Sequence, residues 1–172
     1  QLSDIFSVEG LCMLEFVEVP QRYVVGVRRQ VSAEELSDLH EHAFNETAEV
    51  LAQAQAQPGT SCCYFFAATP RVDLLAGFEV PVEQVAQVQE VAASRGLAIH
   101  RFPPSAAAKA VHNDSYESLP DARQAFTAEV AQVPSEHPDG ALAPISWEEY
   151  VSAPSDDDPS AGYVTELYRS LT

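Results

Sequence analysis

The sequence predicts an α+β fold: two βαββ repeats related by a pseudo-twofold axis, giving an antiparallel sheet with helices packed on it. Three observations carry that expectation. The order strand, helix, strand, strand is met twice along the chain. Each copy places a proline just before its first strand, at Pro20 and at Pro103. Each then continues into a helix with a central phenylalanine, Phe44 or Phe126. Residues 16–172 are therefore expected to form a single domain of two repeats, about 16–82 and 97–172, after an extension over 1–15.

In the first copy, the run Phe16 to Val31 is broken by Pro20, and Arg22 to Val31 reads as a β-branched strand. Ser32 followed by Glu35 is a capping box that opens a helix with apolar positions Leu36, Leu39, Phe44, Ala48 and Leu51. Pro58-Gly59 ends it. Strands follow over Cys62–Ala67 and Leu74–Val82. The stretch from Val82 to Ser94 predicts a short helix or connector ending at Gly96. In the second copy, Leu97–Phe102 leads to Pro103-Pro104, and Ala106–His112 is the next strand. A helix from Ser118 carries Ala122, Phe126 and Val130; after the loop PSEHPDG come strands near Ile145–Ser152 and Tyr163–Leu171. One βαββ unit leaves a sheet face bare, so two copies are expected to pair, with a ligand cleft between the repeats.

Charge narrows the function. Twenty-six acidic residues face nine basic ones, for a formal net charge of −17, and Lys109 is the only lysine. Phosphate binding needs clustered Lys and Arg, so direct nucleic-acid binding is not expected. An anionic membrane surface would repel the chain, whereas cationic small molecules would be drawn to it. No apolar run approaches the roughly 18 residues of a membrane span, and the start lacks a secretory signal pattern. A cytoplasmic location is expected. Cys12, Cys62 and Cys63 make no disulfide framework and no zinc spacing; in a strand, one of Cys62 and Cys63 points to the core and the other away. No metal and no cofactor is expected, since no phosphate loop, nucleophile elbow or metal motif occurs. The run Asp156 to Asp158 reads as a solvated loop.

Three motifs carry the chemistry: AVHNDSY (Ala110–Tyr116), SWEEY (Ser146–Tyr150) and YVTELYRSL (Tyr163–Leu171). Alternation puts Val164, Glu166 and Tyr168 on one face of the last strand, and Thr165 and Leu167 on the other. If Leu167 meets the helices, Glu166 and Tyr168 face a groove. A carboxylate among aromatics is costly to bury unpaired, and a bound cation would offset that cost. Glu166 with Trp147, Tyr150, Tyr168 and Tyr64 would suit a flat, lipophilic cation, through charge and cation–π attraction. Plainer readings stand beside this one: a solvent-facing glutamate, Trp147 and Tyr150 as packing, a hydrogen-bonded structural His112, and Tyr116 as a turn clamp.

These motifs, with the opening VEVPQRYVVGVR, the turn HNDSY, the segment WEEYVSAP and the terminal TELYRSL, resemble the GyrI-like effector-binding family over nearly the whole chain. The resemblance implies a duplicated SHS2 fold with a cleft that takes hydrophobic, frequently cationic compounds. It places a buried central carboxylate at Glu166, with Trp147, Tyr150 and Tyr64 beside it in the cleft; Tyr168, Phe66, Tyr116 and His112 are further candidate ligand contacts. The chain departs from the family where the turn glycine gives way to Asn113, Asp114 and Ser115, residues of which Asn and Asp tolerate left-handed backbone. The residues before the first motif are too few for a helix-turn-helix, so a stand-alone sensor or sequestering protein is the leading expectation. Family members that hydrolyse cyclopropane-containing genotoxins imply an alternative in which Glu166 and Trp147 are catalytic. Members that inhibit gyrase imply a third, a protein partner engaged through the acidic loop.

Overall fold

The computed structural model describes residues 6–8, 11–67, 70–133 and 145–171, with side chains from Leu14 onward. The loop expected at PSEHPDG and the side chain of Cys12 lie outside the described residues. The fold is α+β, and the chain divides into two compact units: Pro20–Pro104, and a second made of Gln1–Val19 with Ser105–Thr172. These limits differ from repeats at 16–82 and 97–172. The strand before each proline belongs to the unit opposite the one its sequence position suggests, and residues 6–8 and 11–15 of the expected extension lie in strands.

The contiguous unit contains β3 (Arg22–Val31), α1 (Leu36–Gln53), β4 (Ser61–Ala67), β5 (Val72–Val80), α2 (Val85–Ser94) and β6 (Ala98–Phe102). Its strands lie in the order β4-β5-β3-β6, and the pairs β4–β5, β5–β3 and β3–β6 are antiparallel. The Glu35 carboxylate accepts the Ser32 backbone N–H at 3.3 Å and its hydroxyl at 2.7 Å, so the sequence signature of the helix start is realised. The chain turns out of α1 at Gln55, which has φ 56°, and out of α2 at Gly96, φ 74°, where Leu97 N–H returns to Ala92 O at 2.9 Å. Val50 and Leu51 of α1 and Val88 and Ala92 of α2 pack on Val25 and Val80, forming the core of this unit. Cys62 and Cys63 are both fully buried rather than one in and one out, because both faces of β4 are covered.

The discontinuous unit contains β1 (Phe6–Val8), β2 (Leu11–Val19), β7 (Ser105–His112), α3 (Leu119–Val130), β8 (Ser146–Ser152) and β9 (Val164–Ser170). The strand order is β1-β2-β7-β9-β8. Leu14, Ala108, Ala110 and Leu167 meet Leu119, Ala122, Phe126 and Val130 of α3 in a single core, with Phe16 and Tyr150 packed against it. The βαββ segment of each unit has the same internal order, its second and third strands paired and its third beside its first, so the duplication read in the sequence is present in the fold.

Candidate ligand-binding face

Leu167 faces α3, so alternation along β9 turns Glu166 and Tyr168 to the opposite face of the sheet, away from α3. Register adds their neighbours. Tyr168 lies opposite Trp147 on β8 and Lys109 on β7, and Glu166 lies opposite Glu149 and Val111. The Trp147 and Tyr168 rings are stacked, with centroids 4.8 Å apart and planes within 1°. Such a pair adds about 0.5–1.5 kcal/mol beyond its burial. Tyr168 hydroxyl donates to Glu166 Oε1 at 2.8 Å, and Trp147 Nε1–H donates to Glu149 Oε2 at 3.1 Å. Each glutamate is thereby tied to one ring of the stack.

Glu166 is less buried than the resemblance implies: its side chain keeps 22% of its exposure. Its second oxygen is 3.1 Å from Lys109 Nζ, which also lies 5.7 Å from the centre of the Tyr168 ring. Trp147, by contrast, is only 1% exposed. The charged ends of Glu166 and Lys109 are therefore the accessible part of this face, and the indole is not.

Tyr150, Tyr116 and His112 are not brought to that face. Tyr150 lies opposite Thr165 and packs against the α3 core, its hydroxyl donating to Glu148 Oε1 at 2.9 Å. Arg123 of α3 holds the same buried carboxylate through Nε and, at 3.0 Å, through Nη2. Tyr116 meets Tyr150 and Tyr163 edge-on at 6.0 and 5.0 Å; burial and the neighbouring Tyr163 raise its hydroxyl above the usual tyrosine range. His112 Nε2 sits 3.0 Å from Ser118 Oγ at the start of α3. Thr165, between His112 and Tyr150 in register, has a buried hydroxyl without a partner among the described residues.

Tyr64 and Phe66 stand on the helix-free face of the contiguous unit. Tyr64 is fully buried, stacked on Phe102 at 3.9 Å, and accepts a 2.6 Å hydrogen bond from Arg22 Nε. Burial raises its hydroxyl far above the tyrosine range, with Arg22 opposing the rise. Phe66 carries the Arg28 guanidinium 3.8 Å over its ring, and Arg28 is fixed by a two-point bond to Asp73, at 2.8 and 2.9 Å.

Two residues of the Glu166 face, Lys109 and Glu149, were missed as site residues by sequence reasoning. Alternation in AAAKAVH does set Lys109 apart from the core alanines, but its neighbour Glu166 is known only once β7 pairs with β9. Glu149 was hidden by its adjacency to Glu148, since only the facing of β8 tells the two apart.

No family model matches the chain, and none of the curated proteins does. Solved structures are similar to it at low identity. SAV2435, in a structure bound to tetraphenylphosphonium, aligns with TM-score 0.63 and 10% identity over 92% of this chain and 93% of that one. The EcmrR C-terminal domain aligns with TM-score 0.58 and 16% identity, covering 92% and 96%. A hydrolase from Listeria innocua aligns with TM-score 0.51 and 12% identity, covering 92% and 91%. The chain therefore has the fold of SAV2435 and of the EcmrR C-terminal domain.

Proposed function

We propose that the chain is a GyrI-like effector-binding domain that senses or sequesters lipophilic aromatic cations, with Glu166, Tyr168 and Trp147 at the centre of the site. The observation that carries this reading is a part-exposed carboxylate on the sheet face opposite α3, hydrogen-bonded to one ring of a parallel Tyr–Trp stack. The net charge of −17 favours cations over anions as ligands. The shared fold with SAV2435, which binds a lipophilic cation, supports the same class of ligand. Glu149 joins the site as a second carboxylate. Tyr150, Tyr116 and His112 hold the sheet to α3, and Tyr64 and Phe66 belong to the aromatic cluster of the contiguous unit. On this reading the chain acts in the cytoplasm, in drug resistance.

Titration with tetraphenylphosphonium, followed by the fluorescence of the single tryptophan, tests the reading. Wild type is expected to bind at about micromolar Kd, about −8 kcal/mol, and Glu166→Gln to bind at least tenfold more weakly. Equal binding by the variant, or none by wild type, sinks the proposal. The register pairing of Glu149 with Glu166 supports a second reading, a hydrolase of cyclopropane-containing genotoxins in which two carboxylates flank the substrate. An enzyme consumes many equivalents of such a compound, whereas a binder stops at one.

A further inference from the structure

We propose that Lys109 is a tethered cation that competes with ligand for Glu166, and that this competition restricts the site to lipophilic aromatic cations. The inference rests on the cation-binding reading above and deepens it. Lys109 Nζ occupies both attractions a cationic ligand would use: the Glu166 carboxylate at 3.1 Å and the Tyr168 ring at 5.7 Å. Three carboxylates, Glu15, Glu149 and Glu166, pair in register with Lys109 or with each other on this face, so a departing ammonium is replaced by incoming positive charge rather than missed.

The other cation–aromatic contacts described, at Arg28 and Arg22, are built to stay. Arg28 over Phe66 is pinned by two parallel bonds to Asp73, and Arg22 beside Tyr64 by bonds to Tyr64, Pro20 O and Pro103 O. Lys109 reaches Glu166 through a single point charge on a flexible stem, and both side chains keep about a fifth of their exposure, 20% and 22%. Of these three described cations, it is the exchangeable one. A ligand that binds only the open state loses affinity by the fraction of time the site is open; a pair closed about nine-tenths of the time costs tenfold. Small ammonium ions, without ring area, gain too little to displace it. A large aromatic cation gains stacking and apolar burial that Lys109 does not supply.

The full chain is titrated with tetraphenylphosphonium and with tetramethylammonium as wild type, Lys109→Met and Arg71→Met. Arg71 is an exposed residue paired with Glu35 and controls for net charge. Lys109→Met is expected to bind tetraphenylphosphonium at least tenfold more tightly and to admit tetramethylammonium; Arg71→Met should match wild type within twofold. If wild type binds and Lys109→Met binds no better, the competition is overturned while the cation site stands. If no variant binds either ion, both fall. A measurement on wild type guards against a folding defect. Lys109 is the only lysine, so reductive ¹³C-dimethylation, which keeps its charge, gives one side-chain resonance. That resonance should move toward the position of a solvent-exposed dimethyllysine on saturation with tetraphenylphosphonium; no movement overturns the proposal.

Discussion

Adjacent on β8, Glu148 and Glu149 face opposite ways, and their chemistry divides accordingly. Glu148 is 3% exposed and held by Arg123 and Tyr150, so it ties the sheet to α3. Glu149 turns to the Trp147–Tyr168 stack, where it accepts the indole N–H. In the other unit, His100 sits against Phe66 at 5.5 Å and Phe102 at 4.3 Å. Burial, followed by the Arg28 charge, lowers its pKa below the ordinary value. The sign follows from proton binding: as pH falls through about 6.5, the unfolded chain takes up a proton that folded His100 refuses. Stability contributed by the neutral ring is thus complete above that value and is lost as pH drops toward the folded pKa. Urea midpoints for wild type and His100→Leu should therefore converge between pH 7.5 and 5.5, the variant showing the shallower loss. Parallel pH profiles would assign the loss to other groups.

Among the elements, the β3–β5 pair makes the tightest demand on sequence. Gly26 lies opposite Gly77, and a Cβ on Gly77 would fall 1.9 Å from Val25 O, while one on Gly26 would fall 2.2 Å from Ala76 O. Neither contact is a movable side-chain end, so both strands must part to accept it. Gly77→Ala is expected to cost at least about 2 kcal/mol by urea denaturation. Gly162→Ala, where an added Cβ meets nothing within 4 Å, should stay near wild type. A neutral Gly77→Ala would mean that the strands separate freely. Element identity was largely legible in the sequence because its signals are local: the Ser32–Glu35 cap, the Pro58 stop, and the period-two alternation that turned Glu166 away from Leu167. The glycine pair was not legible, since each glycine has its meaning only from a partner about fifty positions away in β-pairing.

The same limit operates on the whole molecule. Pro20 and Pro103 marked real boundaries, yet they mark where the chain passes between units rather than where a repeat begins. β2 pairs with β7, from Glu15↔Lys109 to Val19↔Ser105, and β6 pairs with β3, from Arg22↔Phe102 to Gly26↔Ala98. Nothing in the local pattern of LEFVEV or AIHRF states that exchange, because an alternating strand fits either unit. It has a consequence for folding. Pro20–Pro104 holds every strand and helix of its unit, including the core of Val25, Val50, Leu51, Val80, Val88 and Ala92. Ser105–Thr172 alone lacks β2, and with it Leu14, which is fully buried against α3 and β7. Removing that strand opens a row of unpaired backbone groups along β7 and a cavity of leucine size; filling such a site is worth about 2–5 kcal/mol, a large share of a small domain's stability. The fragment Pro20–Pro104 is expected to unfold in one cooperative urea transition by circular dichroism, whereas Ser105–Thr172 is expected to show none until a peptide spanning Gln1–Val19 is added. A cooperative transition in the second fragment alone would mean that β2 contributes little, and that the unit's core closes without Leu14.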